Sequence, residues 1–322
     1  MHAHRLWLAL TIALGLGGLA GAADQDVAAV KRLLERLELP DVADRQEAFR
    51  DLMTLGPESK QAVPVLIGSL SNKDANVRQI VTNVLGKIGK TAVPDLSKAL
   101  ASTNPVVRRQ ATLALASIGP DAAAAIPTLG NNLRDQDKEL RSFAINALAR
   151  IDPEAKSAAP LFRQALKDQD SAVRLAAVFA LEPAGRNTES VVGDLAAALK
   201  DPDKNVRLAV VSVLARMGPT SKAALPGLKE ALQDKEPLVQ IAAADVLTLH
   251  DPSQVPATLP VLTNHLLKHA DEQVRRNAAY VLGQIGPPAK EATPALQTAQ
   301  KDASAEVRQA AAAALEKIAG KK

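Results

Sequence analysis

The stretch that decides the fold is "DPDKNVRLAVVSVLARMGP", Asp201–Pro219. Its opening, Asp-x-Asp-x-Asn, matches the start of an EF-hand calcium loop. An EF-hand also requires glycine at loop position 6 and glutamate at position 12, where this chain has Val206 and Ser212. A calcium site is therefore not predicted. A different explanation follows from the recurrence of the same stretch along the chain.

The arginine of this stretch, Arg207, recurs along the chain at intervals of 30 to 35 residues. The equivalent positions are Arg45, Arg78, Arg108, Arg141, Arg174, Arg207, Gln240, Arg275 and Arg308. Fourteen residues before most of these positions lies a proline: Pro64, Pro94, Pro127, Pro160, Pro226 or Pro294. Eleven residues after several of them lies a glycine: Gly89, Gly119, Gly218 or Gly286. Because independent positions repeat together, the chain is predicted to be a tandem repeat.

Each repeat is predicted to form two helices, called here the first and the second helix of the repeat. The first helix carries the proline in its first turn, where a missing N–H is tolerated. The second helix has an apolar stripe of helical period, which in the quoted repeat consists of Val206, Val210, Val213, Leu214 and Met217. Asp203 is placed to cap this helix, and Gly218 to end it in a left-handed conformation.

The repeating arginine lies at the border of the apolar stripe, near a repeating aspartate. We interpret the two as a structural ladder of ion pairs between neighbouring repeats, made by Arg78, Arg108, Arg141, Arg174, Arg207, Arg275 and Arg308. Exposed ion pairs contribute only about 0–1 kcal/mol each. The ladder is therefore expected to fix the register of the repeats more than it stabilises them.

The repeat consensus, "GPxxxxAVPxLxxxLxDxDxxVRxxAxxALxxIG", resembles the HEAT-repeat family, and within it the bilin-lyase-like subgroup. The matching residues of one repeat are Gly119, Pro120, Ala125, Ile126, Pro127, Leu129, Asp135, Asp137, Arg141, Ala144, Ala147, Leu148 and Ile151. The resemblance covers about residues 27–319. It implies an all-α fold, a right-handed α-solenoid of about nine helix pairs whose second helices line the concave side. It specifies the fold far better than the function, since repeats carry varied surfaces.

Two repeats depart from this consensus. In the fourth repeat, Pro183 is expected to break the second helix, and Gly193 replaces the proline of the following first helix. In the sixth repeat, Gln240 stands in place of the arginine and Asp251 in place of the glycine. Departures of this kind indicate either relaxed packing or a bend of the superhelix.

The N-terminal stretch, "MHAHRLWLALTIALGLGGLAGAADQDV", has Arg5 ahead of an apolar run and small residues just before Asp24. This pattern predicts a secretory signal peptide over residues 1–23, followed by a single solenoid over residues 24–322. The alternative is an uncleaved anchor, although the run is shorter than the roughly 20 residues that span a bilayer. We expect a periplasmic or secreted protein with no membrane span after cleavage. The chain has no cysteine, so export brings no disulfide.

Composition and motifs give little support for catalysis. No cysteine is present, and no serine stands in a G-x-S-x-G elbow. His265 and His269 have a spacing that places two imidazoles on one helix face, but the glutamate of a His-Glu-x-x-His site is missing, so we interpret them as a solvated helix end. The 39 basic and 35 acidic residues are mixed along the chain, which argues against nucleic-acid binding. We predict no catalytic residue, no metal and no cofactor.

A candidate partner-binding surface lies on the face of the second helices opposite the apolar stripe. Successive repeats there carry apolar residues bordered by arginines: Leu175, Phe179, Leu208, Ile241, Arg216, Arg276 and Tyr280. Exposed apolar clusters commonly mark interaction sites, while burial under neighbouring helices is the alternative explanation. The prediction is a monomeric, non-catalytic scaffold that binds a protein or peptide on its concave face. The alternatives are an enzyme or enzyme subunit of the HEAT-like lyase type and a membrane-anchored structural spacer.

Overall fold

The computed structural model describes residues 19–186 and 188–320 of the chain. Within these residues the regular structure is helical, and no strand occurs. The all-α prediction is confirmed, and the paired helices are consistent with an α-solenoid. The contacts divide the chain into two compact units, residues 1–152 and residues 153–322. The single solenoid over residues 24–322 stays a prediction.

The described part of the first unit contains eight α-helices. They are α1 (Leu19–Arg36), α2 (Val42–Leu52), α3 (Val63–Gly68), α4 (Ala75–Ile88), α5 (Val93–Ala99), α6 (Pro105–Ile118), α7 (Ile126–Asn132) and α8 (Lys138–Ile151). The second helices α4, α6 and α8 pack side by side in that order. The first helices α5 and α7 pack against α6 and α8, so each repeat contributes one helix to each of two layers.

The described part of the second unit contains ten α-helices. They are α9 (Ala159–Ala165), α10 (Ser171–Gly185), α11 (Glu189–Ala198), α12 (Lys204–Met217), α13 (Leu225–Ala231), α14 (Pro237–His250), α15 (Val255–Lys268), α16 (Glu272–Ile285), α17 (Thr293–Ala299) and α18 (Ala305–Ile318). The second helices α10, α12, α14, α16 and α18 again pack in chain order. Each second helix is therefore a neighbour of the one before it and the one after it within the unit.

Most second helices begin at a capping side chain. The Oδ1 atom of Asp203 accepts hydrogen bonds from the backbone N–H of Asn205 at 2.7 Å and of Val206 at 3.4 Å. The residues with the same role in other second helices are Asp74, Asn104, Asp137, Asp170 and Asp271. A cap of this kind contributes about 1 kcal/mol to stability. The repeating prolines lie in the first turn of the first helices, as predicted.

Several second helices end at a glycine with positive φ. Gly218 has φ 64° and ψ −141°, and Gly89, Gly119 and Gly286 have closely similar angles. The prediction of a positive φ is confirmed, but the conformation is not the left-handed helical one, in which ψ lies near +47°. It belongs to a region that is open almost only to glycine. The chain passes there directly into a 3-10 segment, such as Gly218–Ala224, that leads to the next first helix.

The predicted apolar stripe forms the core. Val206, Val210 and Leu214 of α12 are fully buried, and Met217 is almost so. Many other core positions are alanine, which allows neighbouring helices to approach closely. Burial of the stripe explains why the chain folds with only 2% aromatic residues.

Two prolines lie inside helices rather than in the first turn. Pro183 does not break α10, which continues to Gly185. The proline removes one backbone hydrogen bond, but it lies in the last turn of the helix, so few bonds follow it. Pro260 lies inside α15, because that first helix begins five residues earlier, at Val255, with Pro256 in its first turn.

Two segments bear on membrane association. The signal peptide is predicted for residues 1–23, of which residues 1–18 lie outside the described residues. In the part that is described, the stretch Pro105–Asn132 is apolar and long enough to cross a membrane by length and composition alone. Gly119, with φ 69°, divides that stretch into α6, a 3-10 segment and α7. Ala111, Ala114 and Leu115 of α6 are fully buried within the unit.

Candidate partner-binding surface

The repeating arginine bonds both to its own repeat and to the next one. In the second unit, Nη1 of Arg207 donates to the carbonyl oxygens of Asp201 (2.8 Å) and Pro202 (3.2 Å) in the preceding turn. Its Nε and Nη2 donate to the two carboxylate oxygens of Asp234, 27 residues later, at 2.6 and 2.8 Å. The Asp234 carboxylate also accepts the backbone N–H of Glu236. One aspartate thus shapes its own turn and holds the arginine of the repeat before it.

The same bidentate pair occurs in other repeats. The pairs are Arg108–Asp135 in the first unit and Arg174–Asp201, Arg207–Asp234 and Arg275–Asp302 in the second. The side chains of Arg207 and Asp234 are only 4% and 8% exposed. The pairs are therefore largely buried, and the expectation of exposed pairs is wrong. The repeat stacks the aspartate turn directly against the apolar border on which the arginine lies.

Arg78 and Arg308 share part of this geometry. Arg78 and Arg308 make the two bonds from Nη1 to the preceding turn. Arg141 also donates from Nη1 to the carbonyl oxygens of Asp135 and Gln136. The bonds to the preceding turn are therefore the constant part of the motif.

Charge pairing changes the ionisation of the ladder aspartates. The hydrogen bond from Arg275 lowers the pKa of Asp302. Burial raises the pKa of Asp234, but the hydrogen bonds from Arg207 and from the Glu236 backbone N–H outweigh it, so that this pKa too lies below its usual value. Both carboxylates therefore stay ionised at neutral pH.

The repeat with Gln240 has a neutral substitute for the ion pair. Nε2 of Gln240 donates to the carbonyl oxygen of Asp234, and its Oε1 accepts from Nε2 of His265, both at 2.5 Å. His265 is 9% exposed, so the interpretation of a solvated helix end is wrong for it. Burial, and then the nearby His269, lower the pKa of His265, which favours the neutral ring. Across residues 19–186 and 188–320, no group of three or more potential ligands could hold a metal ion.

The predicted surface residues differ in their exposure. Phe179 and Tyr280 are 47% and 57% exposed. Leu175 and Leu208 are half-buried. Ile241 is only 3% exposed and belongs to the core, so it cannot contribute to an exposed surface. The burial of Ile241 interrupts the predicted apolar strip at α14.

The predicted arginines are already paired within the chain. Nε and Nη2 of Arg216 donate to Oε2 of Glu182 at 2.9 and 2.7 Å, and Arg186 donates to the other oxygen of the same carboxylate. Burial raises the pKa of Glu182, and the two arginines bring it below its usual value. Nη1 of Arg276 donates to Glu306 at 2.5 Å. An acidic group of a partner would therefore compete with Glu182 for Arg216 and with Glu306 for Arg276.

The rings of Phe179 and Tyr280 each lie beside a cation of the next second helix. The guanidinium carbon of Arg216 lies 5.8 Å from the ring centre of Phe179. The Nζ atom of Lys317 lies 5.8 Å from the ring centre of Tyr280. Because the geometry is the same in two places, the two pairs form a recurring aromatic–cation arrangement on one face of the second unit.

Sequence reasoning missed two members of this face. Leu249 of α14 is 65% exposed, and Lys317 of α18 covers the ring of Tyr280. Both stand nine residues after the repeat anchor, in the same register as Arg216. The repeat register was the signal that could have found them. We call Phe179, Arg216, Leu249, Tyr280 and Lys317 the exposed second-helix face.

The repeat architecture agrees with a family comparison. The family described as HEAT repeats matches residues 30–116, 93–182, 158–248 and 259–322. The chain belongs to the HEAT-repeat family. A search of curated proteins finds no match.

Solved structures with the HEAT-like fold are numerous, and 344 chains are similar. One is an engineered protein, 23% identical, with TM-score 0.50, over 94% of this chain and 92% of that one. Another is YibA of Escherichia coli, 20% identical, with TM-score 0.60, over 88% of this chain and 99% of that one. A third comes from a structure of Kap95p binding to RanGDP, 14% identical, with TM-score 0.59, over 97% of this chain and 51% of that one. At these identities the likeness concerns the fold alone.

Proposed function

We propose that this HEAT-repeat protein is a non-catalytic scaffold that binds a protein or peptide segment on the exposed second-helix face. The observation that carries the proposal is the pair of exposed aromatic rings, Phe179 and Tyr280, each beside a cation. Truncation of a large aromatic side chain on a free surface changes stability little. Where a partner covers such a side chain, the same truncation removes much of the binding energy. The exposed Leu249 lies on the helix between them in chain order.

The chemistry of the face suits a segment with apolar anchors and acidic neighbours. Arg186 and Arg216 share the single carboxylate of Glu182, so this group carries one net positive charge. The ring of Phe179 offers an apolar surface directly beside that charge. A segment with one apolar side chain followed by a carboxylate would satisfy both features, as aromatic anchors with charged borders do at other interfaces.

The family likeness supports binding over catalysis. HEAT-repeat solenoids are generally scaffolds, in which the concave surface is built for extended contacts. The Kap95p chain shares the fold, and Kap95p binds another protein, RanGDP. We assign the chain to the bilin-lyase-like subgroup on its repeat consensus, as a non-catalytic member.

The binding experiment compares a double variant of the exposed second-helix face with a single variant at an exposed apolar residue elsewhere. The double variant Phe179→Ala, Tyr280→Ala removes both exposed rings, whereas Leu267→Ala removes an apolar side chain that is 44% exposed on the first helix α15. Each of the three proteins is used as bait with extracts of the cell envelope. The wild type and Leu267→Ala should retain the same partner, and the double variant should lose it. Circular dichroism should show that all three are equally helical. Retention by the double variant would contradict this placement of the binding face.

We propose that this scaffold works as a monomer outside the cytoplasm, in the periplasm or after secretion. The support is the pattern of residues 1–23, in which Arg5 precedes an apolar run and small residues. Fused to a reporter, these residues should direct export, and the mature chain should begin at Ala23 or Asp24. Mass spectrometry of the purified protein measures the N-terminus. A membrane-bound chain that retains Met1 would support the anchored-spacer alternative instead.

A further inference from the structure

Arg78 of the first unit makes the hydrogen bonds to the preceding turn that are typical of the ladder arginines. Its Nη1 donates to the carbonyl oxygens of Asn72 (2.7 Å) and Lys73 (3.0 Å), as Arg108 does in the following repeat. In Arg108, Nε and Nη2 then bind the two carboxylate oxygens of Asp135. In Arg78, Nε is buried and has no hydrogen-bond partner among residues 19–186 and 188–320.

The cause is a substitution in the next repeat. Ser102 occupies the position that the ladder aspartates hold in other repeats, six residues before Arg108. Its Oγ accepts the backbone N–H of Asn104 at 3.2 Å, just as Asp135 accepts the N–H of Asp137 at 2.9 Å. Serine therefore reproduces the turn but supplies no carboxylate. A buried guanidinium N–H without an acceptor costs free energy, which an external acceptor would recover.

A cavity of about 190 Å³ lies at this place. It is lined by Arg78, Pro105, Val106, Arg109, Gln110 and Asp137. Nη2 of Arg109 is already bound to the carboxylates of Asp137 (3.4 Å) and Glu139 (2.8 Å). Burial raises the pKa of Asp137, but the N–H groups of Glu139 and Leu140 and the charge of Arg109 bring it below its usual value. Arg78 is thus the cation of the cavity that lacks a carboxylate of its own.

We infer that Arg78 binds the carboxylate of an external ligand that carries a small apolar group. The planar guanidinium fork matches a carboxylate, as the pairs Arg108–Asp135 and Arg207–Asp234 show. Pro105 and Val106, which is 37% exposed, provide the apolar surface beside it. The negative charges of Asp137 and Glu139 weaken the attraction, so binding of a free carboxylate is expected to be weak. This inference concerns the first unit and does not rest on the proposed function.

The experiment uses propionate as the probe and the Nε–H NMR signal of Arg78 as the readout. Propionate should shift this signal saturably in the wild type, while the same concentration of sodium chloride should not. Ser102→Asp supplies the carboxylate that other repeats have, so it should weaken propionate binding about tenfold or more. Ser102→Ala changes the same residue without adding a carboxylate and should bind like the wild type. Ser102→Asp should also raise the melting temperature, which shows that the variant is folded.

Two further probes distinguish the sources of the carboxylate. The tripeptide Ala-Ala-Val is added with a free C-terminal carboxylate and, separately, as its amide. Tighter binding of the free tripeptide than of propionate would indicate a chain terminus as the ligand, and equal binding would indicate a free short-chain acid. The inference is overturned if the amide shifts the Arg78 signal as strongly as the free tripeptide. It is also overturned if Ser102→Asp binds propionate as the wild type does.

Discussion

The guanidinium of Arg207 bonds in two directions at once, and only arginine has the geometry for both. Nη1 reaches two carbonyl oxygens of the preceding turn, while Nε and Nη2 form a fork for Asp234. A lysine ammonium has no such planar fork and cannot replace it. Because both partners of the pair are nearly buried, removal of either one leaves the other as an uncompensated charge.

Arg207→Ala should lower the free energy of unfolding by about 3–5 kcal/mol, the cost of breaking a buried ion pair. Arg308→Ala is the matched control, because Arg308 makes the same two bonds from Nη1 but is exposed and has no ladder aspartate after it in the described chain. Urea unfolding followed by circular dichroism measures both. Similar losses from the two substitutions would show that the bonds to the preceding turn matter and that the pair with Asp234 does not.

Asp245 on α14 is a carboxylate whose ionisation opposes folding. Burial raises the pKa of Asp245 above its usual value. It stands five residues after Gln240, in the same register as Phe179 and Tyr280. A raised folded pKa means that the folded chain holds this proton more tightly than the unfolded chain does. The stabilisation that this tighter proton binding gives is fully present below the unfolded pKa of Asp245, about 3.9. It is lost as pH rises through the folded pKa.

Asp245→Asn should therefore be more stable than the wild type at pH 7. The gain should shrink as pH falls and vanish below about pH 3.9, where the carboxyl group is protonated in both states. Urea titrations of both proteins across this pH range measure the difference between their free energies of unfolding. The titration of all other groups is the same in both proteins and cancels in this difference. A variant that is less stable than the wild type at pH 7 would contradict the prediction.

Much of each helix pair could be predicted from the sequence. The prolines, the capping Asp203 and the stripe around Leu214 each follow from local rules of helix formation, and the structure shows them in place. Other features depend on packing between repeats, which no local rule contains. Ile241 stands in a register that is half-buried at Leu175 and Leu208 but is buried here, and the bond between Gln240 and His265 joins residues 25 apart. Such contacts are set by the neighbouring helices.

The packing of α16 against α18 gives a test of helix contact. A Cβ atom on Gly283 would lie 2.9 Å from the Cα of Ala314, so Gly283→Ala should push the helices apart and cost about 1–3 kcal/mol. Gly193 of α11 is exposed and has no atom within 4 Å of a built Cβ. Gly193→Ala should instead stabilise the protein by up to about 1 kcal/mol, the helix preference of alanine over glycine. Thermal unfolding measures both stability changes. If both variants were stabilised, or both destabilised, the close approach of α16 and α18 at Gly283 would be refuted.

Within each unit, the protein is a row of second helices in which each contacts its neighbours. Repetition explains why one quoted stretch was enough to predict the helix pairs of nearly the whole chain. It also explains why the sequence predicts the partner poorly, because the fold is common to 344 similar chains and function depends on a few exposed side chains. Leu249 was found by its exposure of 65%, whereas Leu247, two residues earlier on the same helix, is buried.

A row of neighbours also predicts how a defect spreads. Leu214 of α12 is fully buried, so Leu214→Ala should cost about 2–5 kcal/mol. Leu148→Ala, at the same stripe position in the first unit, should cost a similar amount. Because stability in repeat proteins is a sum of nearest-neighbour terms, Leu214→Ala should speed hydrogen exchange most in α12 and next in α10 and α14, which pack against it.

The last second helix of the same unit provides an internal reference for the hydrogen-exchange rates. Helix α18 does not follow α12 directly in the row of second helices, so its amides should keep exchange rates close to those of the wild type in Leu214→Ala. Lys200→Ala is the matched surface control, because the Lys200 side chain forms an exposed ion pair with Glu230, and the substitution should change stability by about 0.5 kcal/mol or less. Mass spectrometry of exchanged peptides resolves the helices. Uniform acceleration from α10 to α18 would mean that the unit unfolds as a single cooperative block, and that the interfaces between repeats are too strong to confine a defect.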